Sequence, residues 1–207
     1  MCTFKRILIL LLLGSSLTLF FGCAGRDDMF QLTPEYPYVF PDTPEKLMEN
    51  FVQAYGDRDL EAYSELLHED FTFVFQPADV EKLQLEGDSY TKEDELAVAA
   101  NMFSGEPVKK ADGRILPAID RIEFLNFEPL GGWEPSPDQA SFPGTLRCPY
   151  RVSLAIRRVG ASSLEIEGVS IFHVVSRDVR DDEKRSYAYY QLAGWIDCTQ
   201  GSEVETD

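Results

Sequence analysis

The stretch 44–75, PEKLMENFVQAYGDRDLEAYSELLHEDFTFVF, decides the fold. Thr43 suits an N-cap, and Pro44 suits the first helical position, where its missing N–H is not needed. Leu47, Met48, Phe51, Val52 and Tyr55 recur at helical spacing, and Gly56 is expected to end that helix. Asp59 opens a second helix with Leu60, Tyr63, Leu66 and Leu67 on one side. Phe71, Phe73 and Phe75 then alternate with Thr72 and Val74, which predicts a strand with one aromatic face.

Further along, Thr91-Lys92-Glu93-Asp94 fits a capping box with Asp in place of the usual Glu. It predicts a third helix with Leu96, Ala99, Ala100 and Phe103 buried and Gly105 at its end. Ile119 to Glu128 has strand character. The segment Pro129 to Gly144, rich in Pro and Gly with Trp133 inside it, is long for a compact domain and is expected to form a rim or lid.

Leu146, Cys148, Tyr150, Val152, Leu154 and Ile156 alternate with Arg147, Arg151, Ser153, Ala155 and Arg157, a two-faced strand. A hairpin looped at Gly160-Ala161-Ser162 would set Arg157 opposite Glu165, a favourable cross-strand pair. That register carries the apolar face through Leu164, Ile166, Phe172 and Val174. A second turn at Asp181 to Glu183 adds Tyr190, Leu192, Ile196 and Cys198 to it. The opposite face holds three arginines, Glu165 and Glu167, but also Val169, Ile171, His173, Val175, Tyr189, Gln191 and Trp195. So apolar a face is expected to be covered, by the curl of the sheet or by another subunit.

Helix, short helix bearing RDLEAY, then LLHEDFTFVF, a third helix and long C-terminal strands resembles the nuclear-transport-factor-2-like superfamily, which includes SnoaL-like cyclases and ketosteroid isomerases. The resemblance follows element order over most of 43–198 and individual residues only around 44–75. It implies an α+β fold, a curved antiparallel sheet wrapped as a cone on about three N-terminal helices. It also implies a cavity in which a carboxylate or histidine serves as general base, and a homodimer formed through the sheet.

The N-terminus is of another kind. Lys5 and Arg6 precede a run from Ile7 to Phe21 dominated by Leu, Ile and Phe, too short to span a bilayer and of signal-peptide length. Gly22-Cys23 directly after it resembles the bacterial lipobox, with Phe20 where Leu is usual, so Cys23 is expected to carry lipid. The alternative is ordinary secretion with an incidental cysteine. Ala24 after the cysteine implies outer-membrane sorting, facing the periplasm or exterior. The expected organisation is a leader over 1–22, a tether with Pro34, Pro37 and Pro41 over 23–42, one domain over 43–199 and an acidic tail over 200–207. Tyr36, Tyr38, Val39 and Phe40 either pack as a strap on the domain edge or belong to a free linker.

Of 207 residues, 44% are hydrophobic and the formal net charge is −17, or −19 once Lys5 and Arg6 leave with the leader. Such acidity disfavours nucleic acid and anionic headgroups, so membrane contact is expected through the lipid alone. In the expected register Cys148 lies level with Tyr190 and roughly 25 Å from Cys198 at about 3.3 Å per strand residue, beyond disulfide reach, although the compartment favours oxidation.

For chemistry, the candidates are few. His173 and Asp197 are the weak catalytic candidates, and both are expected on the outer face unless a bulge turns the strand over. In that case His173, Tyr189, Gln191 and Asp197 would line the cavity. Phe71, Phe73, Phe75, Tyr150 and Tyr190 are expected to line a cavity for a small apolar or aromatic molecule, or to fill a core. His68 has the look of a solvated terminal residue, and Asp70 and Asp79 of turn residues near a cavity mouth. No metal or cofactor is expected, since two distant histidines make a poor ligand set, and no nucleophile elbow, phosphate loop or dinucleotide fingerprint occurs. The leading expectation is a non-catalytic, lipid-anchored envelope domain for small-molecule binding or partner docking. The alternative is an acid–base enzyme of the isomerase, cyclase or dehydratase kind.

Overall fold

The structure, a computed structural model, describes residues 37–83, 87–110, 113–138, 141–180 and 186–204. The leader, Cys23, the tether to residue 36 and the tip 181–185 lie outside the described residues. The described elements are helices α1 (Pro44–Asp57), α2 (Leu60–Leu66), α3 (Pro77–Leu83) and α4 (Lys92–Phe103). The strands are β1 (Leu67–Val74), β2 (Ser89–Thr91), β3 (Val108–Lys109), β4 (Ile115–Leu116), β5 (Ile119–Pro129), β6 (Glu134–Pro135), β7 (Leu146–Arg158), β8 (Ser163–Arg180) and β9 (Ser186–Val204). The fold is α+β.

The caps are those the sequence predicts. Thr43 Oγ1 accepts from Lys46 N, Asp59 accepts from Ala62 N, and Thr91 with Asp94 closes a reciprocal capping box. Helix α1 does not stop at Gly56. It runs one residue further, and Arg58 takes the left-handed cap conformation at φ 58°. Its Nη1 donates to the Ile119 carbonyl at 2.7 Å, a tertiary contact that compensates for a conformation glycine would adopt more readily. In α4 the buried positions are Glu95, Ala99 and Phe103. Ala99 and Phe103 are thus buried as expected, Leu96 and Ala100 are half-buried, and Glu95 takes the buried place one turn before Ala99.

The segment before α1 is a strap. Tyr38 is buried and donates to Asp59 Oδ2 at 3.1 Å. Buried Asn50 holds both polar groups of Val39, accepting from its N–H at 3.0 Å and donating to its carbonyl at 2.6 Å. The carbonyl of Pro41 then accepts from Tyr190 N at 2.8 Å. Strand β9 continues to Val204, so the tail expected from residue 200 is paired with β8 over its first residues.

The main sheet has the order β2-β1-β9-β8-β7-β5, with β6 on β7, and among the described residues β2 and β5 are its edge strands. The neighbouring strands are antiparallel except β1 and β9, which run parallel. This corrects the fully antiparallel expectation. β1 meets β9 only after the whole intervening chain, and so long a connection imposes no reversal of direction.

The β7–β8 hairpin also departs from expectation, pairing Ala155 with Glu165 rather than Arg157 with Glu165. The turn spans 159–162, with Gly160 at φ 67° and Arg158 Nε donating to Ser162 O at 2.6 Å. A two-residue change keeps every side chain on its expected face. Cys148, Tyr150, Val152, Leu154, Ile156, Phe172 and Val174 are all buried together on the face covered by the helices, here the inner face.

Along β9 the faces do change. Val174 pairs with Leu192, but His173 pairs with Gly194 and Phe172 with Trp195. Ala193 is an extra residue, a β-bulge. Beyond it, Trp195 and Asp197 lie on the inner face and Ile196 and Cys198 on the outer, the reverse of the expected assignment. Cys148 is level with Trp195, not Tyr190, and Cys198 is on the other face. Both thiols are free, separated by the sheet itself rather than by the expected length of strand.

Candidate functional site

Two rows of inner-face side chains cross the sheet side by side. One runs Cys148, Phe172, Trp195, Phe73, Tyr90 over β7, β8, β9, β1 and β2. The other runs Tyr150, Ser170, Asp197 over β7, β8 and β9. In the first, ring centroids lie 5.4 Å apart for Phe172 and Trp195 and 5.0 Å for Trp195 and Phe73. Helix α1 lays Phe51 and Tyr55 across this row, Phe51 at 5.4 Å from Phe172 and 5.5 Å from Trp195. Such edge and tilted contacts are the favoured geometry for aromatic rings. Trp195, Asp197, Phe75 and Tyr90 are only half-buried, so the inner face is least covered around them.

The second row carries the polarity. Ser170 is fully buried and its Oγ has no hydrogen-bond partner. The indole Nε1 of Trp195 is likewise buried without one. A buried donor left unpaired costs about 1–3 kcal/mol, so two such groups in neighbouring rows of one sheet face are unusual in a filled core. Asp197 stands directly opposite Ser170, at the separation of about 5 Å typical of cross-strand neighbours. On the far side of Tyr55, Tyr63 donates to buried Glu95 at 2.8 Å. Burial pushes the Glu95 carboxyl above the usual range, with the Tyr63 hydrogen bond partly opposing it. Tyr55 is held protonated by burial first, and then by the Glu95 and Asp197 carboxylates.

His173 is elsewhere. It is buried on the outer face, its ring 4.4 Å from that of Phe142. Its Nδ1 lies 3.0 Å from Ser136 Oγ and 3.2 Å from Thr145 Oγ1. Thr145 donates to Phe142 O at 2.8 Å and Ser136 Oγ is 2.9 Å from Thr145 Oγ1. Every contact is satisfied if Nδ1–H donates to Ser136, Ser136 to Thr145 and Thr145 to Phe142. Burial and the Arg147 guanidinium lower the His173 pKa to about 4. Ser136, Phe142 and Thr145 therefore cover His173 on the outer face, so part of the apolar surface expected to be covered by the curl of the sheet or by another subunit is covered instead by a loop of the same chain.

Of the predicted site residues, the structure brings Phe73, Phe75 and Tyr150 to the inner face with Asp197. Phe71 is buried, and Tyr190 packs beyond Leu192 beside the strap, away from the second row. His173 and Gln191 stay outside, Gln191 donating to Glu65 O at 3.0 Å. The bulge that sequence reasoning entertained is present, but it begins after Leu192, so it turns Asp197 and not His173. Ser170, Trp195, Tyr55 and Glu95 were missed as a polar set. The 95, 99, 103 spacing was a legible sign that Glu95 is buried. Nothing local marked the bulge except Ala193-Gly194, two small residues inside a strand. His68, Glu69 and Asp70 lie close enough together to hold a cation. Glu69 and Asp70 are exposed, however, and Glu69 is paired with Arg177 at 2.9 Å, the arrangement of a solvated face. Asp79 lies in α3 and its side chain is outside the described residues.

No protein-family model matches the chain, and no curated protein matches it by sequence. Among solved structures it is similar to one assigned as a scytalone dehydratase from Novosphingobium aromaticivorans, at 8% identity and TM-score 0.48, over 79% of this chain and 86% of that one. It is also similar to a hexachlorocyclohexane dehydrochlorinase, LinA type 2, at 11% identity and TM-score 0.45, over 78% and 86%. A third is assigned as a SnoaL-like polyketide cyclase from Shewanella denitrificans, at 13% identity and TM-score 0.44, over 75% and 89%. The element order, α1 and α2 running into β1, two further helices and then the long strands β5, β7, β8 and β9, is the order expected from the resemblance of residues 44–75.

Proposed function

We propose that the inner face is a site for acid–base chemistry on a small, mostly apolar molecule that carries a carbonyl or similar acceptor. This is the isomerase, cyclase or dehydratase kind of reaction, with Asp197 as the base. The observation that supports it is the Ala193 bulge. It sets Asp197 opposite a buried hydroxyl and beside a buried indole N–H, neither of them partnered. A ligand carbonyl oxygen placed between Ser170 and Trp195 would satisfy both donors. Negative charge developing on that oxygen would strengthen the same two bonds. A C–H next to the carbonyl would then face the Asp197 carboxylate, which removes its proton and can return it at another position. Aromatic rings from Phe51, Phe73 and Phe172 supply an apolar bed for the rest of the molecule. The nearby carboxylates of Glu95 and Asp197 favour a neutral ligand over an anionic one.

The domain is proposed to work at the cell envelope, at an outer membrane, tethered by lipid on Cys23 rather than by contact of its acidic surface with headgroups. The remaining outer face, with Val169, Ile171 and Val175, is proposed to pair two copies.

The test is a panel of aromatic and alicyclic ketones in deuterated buffer. Fluorescence of the Trp133→Phe variant, in which Trp195 is the one tryptophan, reads binding, and proton NMR reads exchange of the α-hydrogens. Saturable binding with exchange that disappears in Asp197→Asn supports the reading. Saturable binding without any exchange leaves a binding domain, and catalysis by Asp197 is then wrong.

A further inference from the structure

The cover on the outer face and the proposed site on the inner face meet at one residue pair. Gly194, directly after the bulge, is the partner of His173. The Phe142 ring lies over both: it is tilted on His173, and a Cβ added at Gly194 would fall within contact of its Cδ1, Cε1 and Cζ atoms. The seat of Phe142 thus exists only if the residue facing His173 has no side chain. Without the bulge, β9 would continue the register that pairs Val174 with Leu192, and Ala193 would face His173. Its methyl would occupy the place of the Phe142 ring. Trp195 and Asp197 would then turn to the outer face, with Ile196 and Cys198 turned inward, since a one-residue slip exchanges the faces.

We propose that Ser136, Phe142 and Thr145 form a latch that reads the register of β9, with His173 as its positioning residue. By seating Phe142 on Gly194, the latch holds the bulge that turns Trp195 and Asp197 to the inner face. The hydrogen-bond chain from His173 through Ser136 and Thr145 to the Phe142 carbonyl fixes that ring from both sides. Ser136 N donating to Thr145 O at 2.9 Å ties these two latch residues together. The charged groups facing His173 are Arg147 on β7 and Glu134 on β6, paired with each other at 2.7 Å. The latch residues that touch His173, Ser136, Phe142 and Thr145, and Gly194 on β9 are uncharged. A proton on His173 therefore adds a cation beside Arg147 in a buried place, and acidification should release the latch. As regulation of the inner face the inference rests on the function proposed above; as a statement about register it does not.

The experiment uses the full chain with Trp133→Phe, which leaves Trp195 as its one tryptophan. The readout is the 15N-resolved indole N–H signal of Trp195 and its exchange with solvent. His173→Leu and Phe142→Ala are expected to shift the signal and speed its exchange at least tenfold. His173→Asn keeps a donor near the Nδ1 position and cannot take up the proton. It is expected to retain the parent signal at neutral pH. The parent itself, with no change in the latch, should show the shift on acidification through about pH 4, and His173→Asn should not. An indole signal unmoved in folded His173→Leu and Phe142→Ala overturns the proposal, as does an acid shift identical in the parent and His173→Asn. If the indole responds as expected but Asp197→Asn proves to have no catalytic effect, the latch stands and the proposed reaction falls.

Discussion

Two polar clusters lie within one strand pair of each other, on opposite faces of β8 and β9. Around His173 every donor has an acceptor and the chain of bonds ends on a backbone carbonyl. Around Asp197 a hydroxyl and an indole N–H are buried with nothing to bind. The histidine is the more familiar catalytic residue type, yet its environment is that of a structural clamp. The serine and tryptophan are less conspicuous, yet theirs is the environment a ligand completes. Satisfaction of hydrogen bonds separates the two better than residue type does.

The sharpest way to break this comparison is to exchange the two candidates as catalysts. Asp197→Asn keeps size and removes the base, and should lower α-hydrogen exchange about 100- to 10,000-fold, the usual range for general acid–base groups. Its thermal stability should change little, because Asp197 is half-buried. If instead His173→Asn abolishes exchange while Asp197→Asn spares it, the assignment of roles is reversed.

Stability should show the opposite order. His173→Leu strands Ser136 and Thr145 in a buried place, and should cost about 2–3 kcal/mol in urea unfolding, while Asp197→Asn costs under about 1 kcal/mol. The same histidine predicts a pH dependence. Its folded pKa of about 4 lies below the unfolded value of about 6.5, so the unfolded chain binds the proton first as pH falls. Stability is therefore fully present above about pH 6.5 and is lost progressively down to about pH 4. The urea midpoint followed from pH 7 to 4 should fall more in the parent than in His173→Asn, and equal slopes would remove His173 as the cause.

How far the sequence reaches follows from which interactions are local. The caps at Thr43, Asp59 and Thr91 and the aromatic alternation at 71–75 each depend on neighbours within four residues, and all appear as predicted. The inner face of β7 and β8 is legible because a two-residue error in the turn preserves parity. Arg58 as a left-handed cap, the parallel β1–β9 pair and the Ala193 bulge each depend on partners far along the chain, Ile119, Trp195 and Phe142 among them. No periodicity within β9 can encode a ring that arrives from residue 142. The site was legible as residues but not as an arrangement: Asp197 and His173 were both in view, and only the fold says which side each is on.

Glu95 gives a smaller contrast within the inner face itself. Its carboxyl is buried and raised, so the charged form is disfavoured in the fold and stability is lost as pH rises above the unfolded value of about 4.5. Glu95→Gln keeps an acceptor for Tyr63 and removes the ionisation. It should flatten that part of the pH profile and leave the chain as stable as the parent, or slightly more so, at pH 7. A marked loss of stability would mean that the charge on Glu95 is paired in a way the Tyr63 contact does not account for.

The smallest expected effect is also the one that bears most directly on the comparison. Ser170→Ala removes a hydroxyl that is fully buried and bonded to nothing, so the folded state loses no hydrogen bond while the unfolded state loses a hydrated group. The variant should unfold at the same urea concentration as the parent or slightly higher, a change of about 0–1 kcal/mol, whereas Ser136→Ala, on the other face, should be destabilised by about 1–2 kcal/mol. The two substitutions delete the same atom from two buried sites, and they differ chiefly in whether that atom is used. If Ser170→Ala is destabilised as much as Ser136→Ala, the hydroxyl has a partner in the folded protein, and the case for a ligand acceptor between Ser170 and Trp195 loses one of its two donors.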